Sequence, residues 1–203
     1  LIDVTNELMP EGIKAGAHDI YNFKLKRKKG LAQSIVALST TAAVTVAAVP
    51  ISLADALILS PIEVAQINGL AQLYEINKGE DSKQFLNSIV EVGTVSTAAK
   101  AAISTLKAVP GINIAASVLN AIIAGAIVAA IGEGCIYAFE KVYTGEKSIE
   151  DIDWVKKVME SKLSPQFIEN VTAVAEKISK SSNNKDVGKL VNSLLSTIPT
   201  RKM

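Results

Sequence analysis

The stretch KLKRKKGLAQSIVALSTTAAVTVAAVP, residues 24–50, decides what kind of protein this chain forms. Five of its first six residues are basic, and no Lys, Arg, Asp or Glu follows them until Asp55. Such a run can be a membrane span behind a basic flank, a secretion signal, or a helix in the middle of a protein. A secretion signal is disfavoured because the run begins only at residue 24, behind a predicted amphipathic helix.

A second uncharged segment, AVPGINIAASVLNAIIAGAIVAAIG, covers residues 108–132. Both segments reach the roughly 20 residues that a helix needs to cross a bilayer. The first, however, is rich in Ala, Ser and Thr, which contribute little to membrane insertion. In the second, Ala121, Gly125 and Ala129 recur at four-residue spacing and would let another helix approach closely. We therefore expect a buried central pair that can also open onto a bilayer, with a permanent transmembrane pair as the alternative.

Helical patterns extend over almost the whole chain and predict an all-α fold, a single compact domain of about seven or eight helices. No segment of useful length alternates apolar and polar residues as a half-buried strand does. We expect residues 1–145 to form the core and amphipathic helices in residues 146–203 to pack on it. The predicted helices are 7–22, 24–48, 52–59, 61–77, 81–108, 111–144, 149–162, 165–181 and 185–197.

Several short motifs mark where these helices begin and end. Residues 52–55 and 148–151 both read Ser-x-x-Asp, which has the spacing of a capping box. Pro61 follows a serine at a predicted first helical position, where its missing N–H costs nothing. Gly79 and Gly145 follow helical runs and are predicted to end them in the left-handed conformation.

Composition and charge exclude several classes of protein. The net charge of +1 argues against a dedicated nucleic-acid-binding domain, which would normally be strongly basic. The single cysteine, Cys135, excludes an internal disulfide and is predicted to be a small buried residue. One cysteine and one histidine, His18, cannot supply a zinc site, so no metal or other cofactor is expected.

The sequence also lacks the motifs of common catalytic sites. It has no Gly-x-x-x-x-Gly-Lys-Ser/Thr phosphate loop, no Gly-x-Ser-x-Gly elbow and no His-Glu-x-x-His motif. Asp55 and Glu63 lie eight residues apart and are better explained by helix capping than by acid–base chemistry. We expect a protein that is not an enzyme and that neither binds nor hydrolyses GTP.

Four segments occur in a characteristic order: LIDVTNELMP (1–10), the basic run into the Ala-rich helix, VPISLAD (49–55) with SPIEVAQ (60–66), and VPGIN (109–113). Together they resemble the α-helical domain of unknown function that follows the G domain in Era-like bacterial GTPases. The resemblance covers about residues 1–145. It implies an upstream GTPase domain as partner and a cytoplasmic protein that is peripheral to, or inserted in, the inner membrane. The non-Met start of the chain agrees with a missing upstream domain.

The resemblance also assigns roles to several loop residues. It implies that Pro50 and Asp55 shape the loop that leaves the first uncharged helix. It likewise implies that Pro110 and Gly111 start the second. No catalytic residue is carried over, because the nucleotide chemistry of the family belongs to the G domain.

The basic cluster is the candidate functional site, and it comprises Lys24, Lys26, Arg27, Lys28 and Lys29. We expect it to mark a helix start at an anionic membrane or a partner surface, the alternative being an ordinary solvated face. The corresponding function is a non-catalytic module that attaches a G domain to that surface. Two alternatives are a membrane-inserting, pore-forming effector with a concealed hydrophobic hairpin, and a carrier of apolar small molecules.

Overall fold

The computed structural model describes residues 11–48, 60–76, 79–95, 115–179 and 186–197, and the statements below concern these ranges. Helices account for nearly all of them, and no strand occurs in them, so the all-α prediction is confirmed. The helices are α1 (Glu11–Ala47), α2 (Ser60–Leu73), α3 (Glu80–Val95), α4 (Ala116–Tyr143), α5 (Ile152–Lys162), α6 (Pro165–Ser179) and α7 (Val187–Thr197).

Helix α4 is the centre of the fold. Every residue from Ala121 to Ile136 is buried, including the carboxylate-bearing Glu133. Five other helices pack around α4 with substantial contact: α1, α2, α5, α6 and α7. A helix that is apolar on all sides must be covered on all sides, and its alanines and glycines allow its neighbours to come close. The prediction of a buried second uncharged segment is confirmed.

Helices α1 and α4 run antiparallel and form the largest helix–helix contact. Lys29 near the middle of α1 reaches Glu140 near the end of α4, with 3.0 Å between Nζ and Oε2. Farther along α1, Val44 lies against Gly125, where a Cβ atom would come within 2.5 Å of a valine methyl. Close approach along the α1–α4 contact therefore depends on glycine.

Helix α2 returns antiparallel along α1 and completes a three-helix core. Lys28 of α1 pairs with Glu75 just after the end of α2, and Ile35 packs on Gly69 inside it. Thr40 follows Ile35 by five residues, so in this antiparallel arrangement it lies beside the beginning of α2.

The structure corrects the predicted beginning of the basic helix. We expected separate helices over 7–22 and 24–48, but the described part of this region is one helix of 37 residues that begins at Glu11. The basic cluster lies inside that helix and not at its start. The physical reason is that residues 11–47 contain no proline, and each of their three glycines costs only about 1 kcal/mol in a helix.

Three other helix boundaries differ from prediction. Helix α4 begins at Ala116, with Ala115 as its N-cap, and not at residue 111. Helix α2 ends at Leu73 and not at residue 77, because Glu75 adopts a left-handed conformation with φ of 62°. Helix α5 begins at Ile152 and not at residue 149, since Asp151 is its N-cap and accepts from the Trp154 N–H at 3.2 Å. The side chain of Asp151 therefore caps the helix that it was expected to lie inside.

Of the two glycines predicted to end helices, Gly145 is confirmed, since it follows α4 with φ of 75°. Gly79 has a positive φ of 110°, but α2 already ends at Leu73 and Glu75 takes the left-handed conformation there, so Gly79 does not end that helix. The predicted helix 52–59 and the loop residues Pro50, Asp55, Pro110 and Gly111 lie outside the described residues.

The C-terminal helices each place one apolar face on the core, as their spacing predicts. In α6 the buried side chains are Phe167, Val171, Val174, Ala175 and Ile178. In α7 they are Leu190, Val191 and Leu194, and Leu194 reaches α4 beside Gly125.

Candidate functional site: the basic cluster and the outer face of α1

Lys28 of the basic cluster points into the bundle. Its ammonium donates to the Leu73 carbonyl, one of the last carbonyls of α2, and to the Glu75 carboxylate at 3.1 Å. The same ammonium lies 4.7 Å from the centroid of the Tyr143 ring at the end of α4. Only 17% of the Lys28 side chain is exposed. This residue therefore links α1 to both other core helices through charge, a hydrogen bond and a cation–π contact.

Lys29 also makes an intramolecular contact, and it is more open to solvent. Its ion pair with Glu140 has a distance of 3.0 Å, with the lysine side chain 51% exposed and the glutamate 25% exposed. An ion pair at this degree of exposure contributes at most about 1 kcal/mol. Lys29 thus supports the α1–α4 contact more weakly than Lys28 does.

The other three basic residues, Lys24, Lys26 and Arg27, are exposed. None of them forms an ion pair with another residue in the described ranges. At 100° per residue, Lys24 and Arg27 share one side of α1, whereas Lys26 lies about 160° from Lys24. The five predicted site residues are therefore divided between internal anchors and a solvent-facing set.

Large apolar side chains occupy the same side of α1 as Lys24 and Arg27. Their exposed fractions are 57% for Ile13, 59% for Ile20, 65% for Phe23, 50% for Leu31 and 72% for Leu38. Four of them are separated by 7, 11 and 7 residues, and each of these intervals returns to nearly the same side of an α-helix. These four are Ile13, Ile20, Leu31 and Leu38.

We call this surface the outer face of α1 and define it as Ile13, Ile20, Phe23, Lys24, Arg27, Leu31 and Leu38. It carries large apolar groups and positive charge but no carboxylate. The acidic residue Asp19 is exposed on α1 beside the edge of this face, about 40° around the helix from Phe23 and about 100° from Ile20. Sequence analysis predicted the basic part of this surface and missed its apolar part.

The opposite side of α1 has smaller side chains. This inner face comprises Ala32, Val36, Thr40, Ala43 and Val44, all of them fully buried against the bundle. The usual arrangement of a surface helix, with its largest apolar groups inward, is therefore reversed in α1. Burial energy scales with apolar area, so a large share of the burial energy available to α1 remains unused in the isolated domain.

A shallow apolar groove of about 350 Å³ adjoins the outer face where α1 meets α2. Pro61, which was predicted to shape the chain at a helix start, lies in the first turn of α2 and lines this groove. Its lining residues are Leu38, Ser39, Ala42, Pro61, Ile62 and Ala65. The groove extends the apolar surface of α1 sideways onto α2.

Unpaired polar groups lie behind α1, where α1, α2 and α4 meet. The Thr40 hydroxyl and both amide heteroatoms of Gln66 are buried and have no hydrogen-bond partner among the described residues. Gln66 is 1% exposed, and its amide nitrogen lies 2.6 Å from where a Cβ on Gly132 would be. Each buried unsatisfied group costs about 1–3 kcal/mol.

Two buried carboxylates add to this polar region. Burial raises the pKa of Glu63 in α2, and no charged neighbour contributes to that shift. Burial also raises the pKa of Glu133, opposed by a hydrogen bond from Gln33 and by the charges of Lys162 and Lys29. The interior of the three-helix core is therefore more polar than its sequence segments suggest.

The features expected of a reactive centre are not found in the described residues. Cys135 is fully buried, and burial raises the pKa of its thiol, as expected for an inert core residue. His18 is exposed on α1. Within the described ranges no group of three or more His, Cys, Asp or Glu residues could hold a metal ion.

Two described helices are long and apolar enough to cross a membrane by length and composition. They cover Ala15–Ala47, whose most apolar 18-residue window has a mean hydropathy of 1.5, and Ala116–Tyr143, whose window has 1.9. Their burial differs greatly: 94% of the most apolar window is buried in α4 and 28% in α1. Burial of this degree makes α4 a core helix in this structure, while α1 presents much of its surface to solvent.

Comparison with known proteins gives one family. The family model described as "Domain of unknown function (DUF697)" matches residues 21–164, which run from the middle of α1 to the start of α6. No curated protein and no solved structure matched the chain.

Proposed function

The chain belongs to the DUF697 family, and on that premise we propose that it is a non-catalytic helical module that attaches a G domain to an anionic membrane surface. The observation that carries the proposal is the outer face of α1, which combines exposed large apolar side chains with Lys24 and Arg27 and has no carboxylate. This is the composition of a helix that lies in the plane of a bilayer interface.

The two components of the outer face would act together. Basic residues near an anionic leaflet contribute about 1 kcal/mol each, and this attraction is screened beyond about 8 Å at physiological salt. Apolar side chains that enter the headgroup region add energy in proportion to the area they bury, and salt does not screen that term. A phospholipid surface thus satisfies both the charge and the apolar area.

Charge complementarity favours an anionic surface over a second copy of this chain. In an antiparallel pair of outer faces with Ile20 opposite Leu31, Lys24 would lie opposite Arg27, and this would occur twice. Like charges held opposite each other are destabilising, and a parallel pair would place each basic residue opposite itself. Lipid phosphates are negatively charged, so they attract the same basic residues that would repel each other between two copies.

The G-domain part of the proposal rests on the resemblance of the sequence to the helical domain of Era-like GTPases. The gene sequence upstream of this chain tests it directly. We expect a phosphate loop and an Asn-Lys-x-Asp guanine-recognition motif there. A complete gene without these motifs would reject the link to a G domain and leave the membrane proposal standing.

Co-sedimentation with lipid vesicles tests the membrane proposal. The informative variant is Lys24→Ser with Arg27→Ser, because Lys28 and Lys29 have internal partners and their loss would also disturb the fold. The matched control is Lys157→Ser with Lys177→Ser, which removes the same charge from exposed positions on α5 and α6.

We expect wild type and control to bind vesicles that contain phosphatidylserine at low salt. The outer-face variant should bind about thirtyfold more weakly, from about 1 kcal/mol for each lost charge. Equal binding by all three proteins, or equal binding of wild type to pure phosphatidylcholine, would refute the role of the basic residues. Binding that resists high salt and needs detergent for release would instead indicate insertion of α1 and α4 as a hydrophobic pair.

A further inference from the structure

The contacts that hold α1 against the bundle are made mainly by small side chains, together with the partly buried Leu25 and Ile35 and the stacking of the Tyr21 ring on Tyr143 of α4. The inner face of α1 contributes only small buried side chains between Ala32 and Val44, so it gains less apolar burial than a Leu-rich face would. The remaining contacts include the polar links of Lys28 to α2 and of Lys29 to α4.

These lysine contacts use the groups that an anionic lipid would attract. The Lys28 ammonium is bound to a carbonyl and to the Glu75 carboxylate, and Lys29 is bound to Glu140. Lys28 lies about 40° around α1 from Lys24, so docking of the outer face would bring a layer of phosphates next to Lys28, whereas Lys29 lies about 140° from Lys24 on the side that faces the bundle. A phosphate oxygen is a charge-assisted acceptor at least equal to a carboxylate.

Packing of α1 against α2 and α4 buries unpaired polar groups, and this burial costs free energy. The unpaired Thr40 hydroxyl and Gln66 amide would gain hydrogen bonds to water or headgroups if α1 moved away. The surface of α4 that this would uncover belongs to a helix of 28 residues whose most apolar 18-residue window has a mean hydropathy of 1.9. That surface is unfavourable in water and favourable against lipid, so opening is coupled to the bilayer.

We propose that Lys28 forms a latch that anionic lipid phosphates release, freeing α1 from α2 and α4 at the membrane surface. This inference rests on the proposed function, because docking of the outer face brings the phosphates to the latch. In solution the latch keeps the inner face of α1 closed. At an anionic surface Lys28 exchanges its internal partners for phosphates, and Val36 becomes accessible.

A thiol at the inner face reports the opening. Val36→Cys replaces a fully buried side chain that lies against Gly132, and Cys135 in α4 is an internal reference that is also fully buried. The protein is pulsed with a maleimide under reducing conditions, alone or with phosphatidylserine vesicles, and both cysteines are quantified by peptide mass spectrometry. We expect vesicles to raise the labelling rate of the cysteine at position 36 at least tenfold, with Cys135 protected.

A pair of lysine variants tests the latch without any membrane. In the Val36→Cys protein, Lys28→Met removes the latch, whereas Lys26→Met removes the same charge from an exposed residue with no ion pair in the described part of the chain. We expect Lys28→Met to raise labelling at position 36 about tenfold in solution and Lys26→Met to leave it unchanged. Equal labelling of the two variants would overturn the latch.

The outcomes separate this inference from the proposed function. Vesicle binding with position 36 still protected would overturn the opening and leave membrane attachment intact. Absence of vesicle binding would overturn both. Equal labelling of position 36 and Cys135 would show general unfolding and would also overturn the latch.

Discussion

The contact between α1 and α4 at Gly132 yields a quantitative prediction for Gly132→Ala. A Cβ at this position would lie 2.6 Å from one Val36 methyl, 3.0 Å from the other and 2.6 Å from the Gln66 amide nitrogen. Favourable carbon contacts are about 3.5–4.0 Å. Valine in a helix has one strongly preferred rotamer, so Val36 cannot turn aside. We therefore expect the backbones of α1 and α4 to be forced apart.

The magnitude follows from two opposing effects. Overpacking of this kind lowers the unfolding free energy by about 1–3 kcal/mol, while replacing glycine by alanine inside a helix raises it by about 1 kcal/mol. The net expectation is a loss of about 1 kcal/mol of unfolding free energy. Gly30→Ala in α1 is the matched control, since its Cβ would meet nothing within 4 Å, and it should gain up to about 1 kcal/mol.

Urea unfolding followed by far-ultraviolet circular dichroism measures both changes, provided that the m-value is constant. The variants should differ by about 2 kcal/mol, or roughly 4–8 °C in melting temperature for a chain of this size. Adding Val36→Ala to Gly132→Ala should recover part of the loss, because it removes the clashing methyls. Equal stabilisation by alanine at positions 30 and 132 would refute the close α1–α4 contact.

Two further predictions concern the buried polar groups. Gln66→Met should raise the unfolding free energy by about 1–2 kcal/mol, because it removes two unpaired buried amide atoms at similar volume; a lower urea midpoint would mean that the amide has a partner. Glu63→Gln should stabilise the protein at pH 7 but not at pH 4. Because the folded-state pKa of Glu63 is raised, the folded state holds its proton more tightly, and wild-type stability falls as the pH rises above the ordinary value of 4.5. An identical pH profile for Glu63→Gln and the exposed control Glu176→Gln would contradict this account.

Sequence patterns were sufficient to predict the burial of α4. A long uncharged run of Ala, Ile and Val has only two stable environments, lipid or a protein interior, and α4 is found in the interior. The buried side chains of α6 and α7 also recur at the spacing of an amphipathic helix. The prediction for α4 succeeds because it depends on a single segment and on local physical chemistry.

The division of the basic cluster could not be predicted in this way. Whether Lys28 faces solvent or the bundle depends on where the end of α2 and Tyr143 of α4 lie, and these are 45 and 115 residues away in sequence. The unpaired Gln66 amide is also a product of tertiary packing, since it depends on its position against Gly132. No local pattern contains that information.

The apolar part of the outer face, by contrast, was visible in the sequence. The spacing of Ile13, Ile20, Leu31 and Leu38 fits one side of a helix, but a predicted break at residue 23 separated the two halves of the pattern. Removing that break joins them. The error shows that a helix boundary needs a breaking residue, and a change from polar to apolar composition is not one.

Because α1 is one continuous helix, the side on which a residue lies depends on the number of residues that separate it from the others. This dependence constrains how the length of α1 can change. Inserting one residue between Ile20 and Leu31 would rotate everything upstream by about 100° and separate Ile13 and Ile20 from the leucines, while Lys28 and Lys29 kept their contacts. Insertions or deletions of 7 or 11 residues would restore the alignment to within about 20°. Related sequences that preserve this surface should therefore differ in the length of α1 by such steps, and single-residue length changes there should be rare.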